Sequence, residues 1–181
     1  MRVIANVDLT DRFGPGTVDL LEVRRICNPA DKNGEDPSAP ASEEHLVGYR
    51  LKQRTPKFAP LKRVQIANQL GTITADLARP EYLLVPSAKS RAGTPPPLVA
   101  PTVDHFKCYR VRRARTRVPA VHVDDQFGSL DLAIKRPERL CHGVRPWLFG
   151  HVPGQEGGHP DDCSPGETCQ VQSSFNNCGC E

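Results

Sequence analysis

The chain is poor in aromatic residues, with one Trp, three Tyr and six Phe among 181 residues. Long hydrophobic runs are missing as well. No stretch approaches the ~18 consecutive apolar residues that a membrane-crossing helix needs. Charge of one sign is also lacking: 24 basic residues stand against 21 acidic ones, for a formal net charge of +3. That balance argues against a dedicated nucleic-acid binder, and the basic residues carry no interleaved aromatics for base stacking. There is no G-x-S-x-G elbow, no phosphate loop and no H-E-x-x-H helix, so no reaction can be read from a motif. The opening residues Met1-Arg2-Val3-Ile4-Ala5-Asn6 lack the apolar core of a secretory signal. Proline, by contrast, is abundant, with 18 residues. That is about twice the usual share of roughly 5%, a density that breaks long helices and excludes an all-α bundle.

The strongest signal is internal repetition. Phe13-Gly14, Leu70-Gly71 and Phe127-Gly128 recur at a spacing of 57 residues. Each follows an alternating apolar segment: Val7/Leu9, Val64/Ile66 and Val121/Val123. A second alternation follows each glycine: Val18/Leu20, Ala75/Leu77 and Leu132/Ile134. A period of two marks half-buried strands, and the glycine supplies the positive φ of a hairpin turn. Upstream, Glu44-His45-Leu46-Val47-Gly48-Tyr49 matches Asp104-His105-Phe106-Lys107-Cys108-Tyr109, with no counterpart before the first copy. Pro80-Glu81 and Pro137-Glu138 suit the first turn of a short helix or 3₁₀ segment. These features predict an all-β chain of tandem repeats of about 57–60 residues with about three strands each, forming a sandwich- or barrel-like domain. The expected organisation is a partial first repeat over 1–44, a second over 45–103, a third over 104–150, and an irregular cysteine-rich tail over 151–181.

Seven cysteines sharpen the reading. Cys108 and Cys141 occupy positions held in the second repeat by Gly48 and Leu84. Two cysteines present together in one copy and absent together from another predict a Cys108–Cys141 disulfide, worth about 3–4 kcal/mol through the unfolded state. Cys27 stands where Cys141 stands in the third copy, so its partner is expected in a strand ahead of Met1. Cys163, Cys169, Cys178 and Cys180 lie in a Gly/Pro/Ser-rich tail that cannot build a core and needs staples. Two disulfides are the plain reading. A zinc knot that adds His159 is the sharper one, although the spacing departs from paired C-x₂-C arrangements. Disulfides place the protein outside a reducing compartment. The missing signal and the missing first strand then share one expected explanation: the chain is the C-terminal part of a longer exported repeat protein, or its gene has a misplaced start.

The segments His105-Phe106-Lys107-Cys108-Tyr109, Asp125-Gln126-Phe127-Gly128 and Pro137-Glu138-Arg139-Leu140-Cys141 resemble a tandem domain of unknown function found in exported bacterial proteins. So do Cys27-Asn28-Pro29-Ala30-Asp31-Lys32-Asn33-Gly34 and Leu83-Leu84-Val85-Pro86. The resemblance covers about residues 3–146 and implies a secreted or cell-envelope location and tandem copies. It carries no catalytic residues across.

Among the remaining residues, Arg110, Arg112, Arg113, Arg115 and Arg117 form a basic run. On a strand, Arg110 and Arg112 share one face, opposite Tyr109 and Val111. Such a stripe either keeps an exposed edge soluble or binds an acidic polysaccharide or other polyanion. Asp31-Lys32-Asn33-Gly34-Glu35-Asp36 is rich in oxygen ligands, but its glycine is misplaced for a Ca²⁺ loop. His45 and His105 recur at one repeat position, as expected of a shared structural role such as a hydrogen bond at the strand start. His122 lies beside Asp124 without a nucleophile. Trp147-Leu148-Phe149 are expected to pack at the end of the last sheet, with sugar stacking as an alternative for Trp147. These residues predict a non-catalytic structural or adhesive module, with surface polysaccharide or another protein as partner and no cofactor. The alternatives are a carbohydrate- or polyanion-binding module using the arginine strand, and a metal-dependent enzyme using the tail.

Overall fold

In a computed structural model of the chain, residues 3–114, 118–146 and 178–180 are described, the last three by their backbone alone. Ten strands and one 3₁₀ turn at Ala39–Ala41 account for all regular structure among them. The strands are β1 (Ile4–Asp11), β2 (Gly14–Lys32), β3 (His45–Thr55), β4 (Leu61–Asn68), β5 (Gly71–Ser87), β6 (His105–Arg112), β7 (Val118–Asp125), β8 (Gly128–Ile134), β9 (Arg139–Pro146) and β10 (Cys178–Cys180). The all-β class holds.

The repeat is visible in the register. Hairpin β1–β2 pairs Ile4 with Leu20, β4–β5 pairs Leu61 with Leu77, and β7–β8 pairs Val118 with Ile134. Each pair lies 57 residues beyond the last, and each is followed by a register shift at the same place. At the tips, Gly14, Gly71 and Gly128 have φ of 106°, 118° and 129°, values that a side chain would strain. The first two bulges share a clasp. Asn6 and Arg63 have φ of 58° and 55°, and their amides donate to Asp19 Oδ1 (3.2 Å) and Asp76 Oδ1 (3.1 Å). The third copy has Ala133 at this position.

The repeats merge rather than sit side by side. The long strand of one repeat pairs with the first strand of the next: Cys27 opposes Leu46 in β2–β3, and Leu84 opposes Phe106 in β5–β6. With β3–β5, β6–β9 and β1–β2, the path β1-β2-β3-β5-β6-β9 returns to β1 through two pairs, Leu9 with Pro146 and Thr10 with Arg145. The result is one antiparallel sheet curled on itself and joined only briefly at that seam. It is neither a closed barrel nor two stacked sheets.

Alternation along the strands separates an inner and an outer layer. The inner layer holds Val7, Leu9, Val18, Leu20, Leu51, Leu83 and Val144, continued by Ala75, Leu77, Tyr109, Val111 and Leu140. The outer layer holds Cys27, Leu46, Leu84 and Cys108, with Tyr82, Phe106 and Val103 against them. Val103 belongs to the linker 88–104, which Glu44 ties down by accepting from the Thr102 amide (2.9 Å), the Thr102 hydroxyl (2.9 Å) and the Val103 amide (3.1 Å).

Two local expectations are corrected. Pro80-Glu81 lies inside β5 rather than in a helical turn, because Pro80 sits where the β5–β6 register shifts and no ladder N–H is demanded of it. Pro137-Glu138 falls in a break between β8 and β9. That break turns the third hairpin away from the inner layer. It docks on the end of β2, pairing Ala30 with Asp125 and Lys32 with Val123, and leaves Leu130 and Leu132 exposed. Trp147-Leu148-Phe149 and most of the tail lie outside the described residues.

Gly48 and Leu84 stand opposite each other in β3–β5, as Cys108 and Cys141 do in β6–β9. A Cβ at Gly48 would meet Arg25 Cβ at 3.0 Å and Leu84 Cδ2 at 3.1 Å. The leucine fills the space that the second cysteine leaves empty. Gly48→Ala is expected to destabilise the fold by about 1–3 kcal/mol through overpacking, measured by denaturant unfolding.

Candidate functional site

On β6, alternation sends Lys107, Tyr109 and Val111 to the inner layer and Arg110 and Arg112 to the surface. Lys107 lies opposite His142 of β9, and Tyr109 opposite Leu140. The tip of the first hairpin closes over them. Asp11 ends β1, accepts a hydrogen bond from the Tyr109 hydroxyl, and accepts the Phe13 amide at 2.9 Å. Lys107 Nζ is 3.6 Å from Asp11 Oδ2, with the two side chains 3% and 0% exposed. The Phe13 ring stands edge-on to Tyr109 (5.0 Å) and to His142 (4.9 Å), and Phe58 lies 5.2 Å from Tyr109.

Burial sets the electrostatics of this cluster. It lowers the Lys107 pKa, and the Asp11 carboxylate only partly opposes the shift. Burial raises the Tyr109 pKa, with the Asp11 hydrogen bond acting in the same direction, and it lowers that of His142. The buried His142 Nε2 has no hydrogen-bond partner among the described residues. An acid, an amine, a phenol and an imidazole thus converge, the residue types of a proton-transfer site. Lys107, Tyr109 and the Asp11 side chain are buried, and His142 is half-buried. The arrangement pins repeat one to repeat three.

The open surface offers less chemistry. A shallow cleft of about 370 Å³ runs between the first hairpin and the end of β3, lined by Asp8, Thr10, Thr17 and Thr55 among others. Its carboxylate, Asp8, is engaged by the Thr17 hydroxyl at 2.7 Å.

The basic face is more substantial. Arg110 and Arg112 are exposed, and Arg110 lies opposite Arg139 across β6–β9. Arg112 lies opposite Asp76, whose Oδ2 also has Lys62 Nζ at 3.1 Å and Arg113 Nη1 at 3.8 Å. Arg139 reaches Glu81 (3.1 Å) and Glu138 (3.2 Å) and stacks 4.9 Å over the Tyr82 ring, with Arg25 at 5.3 Å from the same ring. Lys62, Arg139 and Arg25 come from β4, β9 and β2, so this surface draws on more of the fold than the run in sequence. Arg115 and Arg117 lie outside the described residues.

The other sequence candidates are placed as follows. Cys108 and Cys141 are joined by a disulfide. Cys27 is disulfide-bonded too, so its partner lies within this chain and not in a strand ahead of Met1. His159, Cys163 and Cys169 lie outside the described residues, and Cys178 and Cys180 are described by backbone alone. No cluster of three potential metal ligands occurs among the described residues. The oxygen-rich loop spends its groups internally. Asp31 accepts the Asp36 amide at 2.9 Å, Lys32 pairs with Glu35, and Asn33 exchanges hydrogen bonds with the His122 backbone. His45 donates to the Glu43 carbonyl at 2.8 Å, at the start of β3. His122 lies between Asp131 (2.7 Å) and Asp124 (3.2 Å), and the hydrogen bond to Asp131, foremost, raises its pKa.

The profile of a family described as a repeat of unknown function, DUF7450, matches residues 45–163. No curated protein matches. No solved structure matches.

Breaking a buried ion pair from one side is costly, whereas removing both charges is not. Lys107→Met alone and Asp11→Asn alone are each expected to destabilise the protein by about 3–5 kcal/mol. The double variant is expected to lose much less than their sum, because it leaves no uncompensated buried charge, and the carboxamide oxygen still accepts the Phe13 amide while its NH2 donates to the Tyr109 hydroxyl oxygen. Denaturant unfolding of the four proteins reads this coupling directly.

Proposed function

The chain belongs to the family of repeats of unknown function whose profile it matches, and from that premise we propose that it is an exported, non-catalytic structural or adhesive module. The observation that carries this reading is the largely buried cluster of Asp11, Lys107, Tyr109 and His142. The groups best suited to proton transfer serve to fasten two repeats together. Shared strand edges and the Cys108–Cys141 bond point the same way, toward a unit built to persist outside the reducing cytosol. The test is expression of the chain with and without an export leader. The exported form is expected to block Cys108 and Cys141 against alkylation, and replacing both by Ala in it is expected to cost about 3–4 kcal/mol of stability. Free, alkylatable thiols at Cys108 and Cys141 in the exported protein would overturn the reading.

A second reading, attachment to an acidic polysaccharide or other polyanion, is favoured by the surface around Arg110 and Arg112. There Lys62, Arg113 and Arg139 add to the positive charge, and Asp76, Glu81 and Glu138 only partly offset it. Such binding is screened by salt. Arg110→Ala with Arg112→Ala is expected to lower the salt concentration that elutes the protein from heparin while leaving its unfolding midpoint nearly unchanged. Unaltered elution would remove this reading.

A further inference from the structure

In the second repeat, β3 and β4 lie end to end along one edge of β5. Leu84 and Leu77 face Gly48 and Leu61 on that edge, and Phe106 and Val111 of β6 on the other. In the third repeat, β6 and β7 pair in the same way with the two pieces of the interrupted strand, β9 and β8. The first repeat has the second member of this pair, β1, and among the described residues no strand precedes it. Its place is nevertheless filled. Cys27 faces Leu46 of β3 on one edge of β2 and Cys180 of β10 on the other, the edge that also carries β1.

The register agrees residue for residue. The pairs Gly48 with Leu84, Cys108 with Cys141 and Cys180 with Cys27 are equivalent, as are Leu46 with Pro86, Phe106 with Gly143 and Cys178 with Pro29. We propose that the strip of β2 at Cys27–Pro29 is a strand-accepting site, that its occupant is the chain's own Cys178–Cys180 segment acting as the first strand of the first repeat, and that Cys180 is the disulfide partner of Cys27. The first repeat thereby takes its opening strand from a segment that follows its hairpin in the chain. Both edges of β2 are then used at Cys27, as both edges of β5 are used at Leu84. The covalent step converts two thiols to one disulfide. Two protons and two electrons pass to a disulfide-class oxidant, such as oxidised glutathione or the oxidised form of a dithiol oxidoreductase, which leaves as thiols.

Non-reducing peptide mapping of the full-length oxidised protein tests the proposal without any substitution. The expected result is a cross-linked pair of peptides containing Cys27 and Cys180, within a species that runs as a monomer on a non-reducing gel. Cys27 linked to Cys163, Cys169 or Cys178 would overturn it. So would a Cys27–Cys180 bond found only in covalent dimers, which would mean that the strand is donated by a second copy. Cys27→Ser and Cys180→Ser are each expected to lower the unfolding midpoint by roughly 10 °C. Their combination is expected to do no more than either alone. Additive losses would overturn the pairing. This outcome is separable from the export reading, which stands or falls on Cys108 and Cys141.

Discussion

A β-strand has two hydrogen-bonding edges, and the architecture follows from how the long strands spend theirs. β2 and β5 each give one edge to their own hairpin and the other to the opening strand of the following repeat. A three-stranded unit of some sixty residues buries a small core and is marginal by itself. Sharing edges makes each repeat a wall of its neighbour, so the inner layer is built from all three. Val7 and Leu9 come from the first repeat, Leu51 and Leu83 from the second, and Val144 from the third.

The curled sheet has two layers with different means of cohesion. Inside, aliphatic packing is interrupted by one ion pair, Asp11 with Lys107, whose desolvation is offset by the Tyr109 hydroxyl and the Phe13 amide. Outside, sulfur and leucine alternate at equivalent positions: Cys27 in the first repeat, Leu84 over Gly48 in the second, and Cys108 with Cys141 in the third. Where the bond is absent, a leucine over a glycine fills the same volume. The aspartates at 19 and 76 have a third role. Each satisfies the amide of a left-handed bulge residue and takes a cation besides, Arg54 for Asp19 and Lys62 for Asp76. Their pKa values lie below the usual carboxylate range, through the Arg54 hydrogen bond for Asp19 and the Arg63 amide for Asp76. Their contribution is therefore present at neutral pH and fades as acid protonates them.

Much of the fold was legible because it is local. Strand alternation, turn glycines and the 57-residue period depend on neighbours in sequence, and they led to the hairpins and the all-β class. What was hidden is long-range. Pro80-Glu81 reads as a helix start by local rules, yet it lies in a strand because the bulge there excuses the missing N–H. The Asp11–Lys107 pair joins residues from different repeats, and nothing in either segment announces the other. One clue was present: Lys107 sits at an apolar-facing position of its strand, where an unpaired charge is costly. Cys27 misleads for the same reason, since linear order points to a partner upstream, whereas its disulfide lies within this chain. The recurrence of Asp19 at Asp76, one period later, is a local signal of the shared bulge clasp.

The seam between β1 and β9 has a bearing on biosynthesis. Leu9 meets Pro146 and Thr10 meets Arg145, partners from opposite ends of the described sheet. As the polypeptide leaves the ribosome, β1 is made before β9. Until β9 pairs with it, the flank of β1 at Leu9 and Thr10 is an unpaired strand edge, open to pairing with another chain.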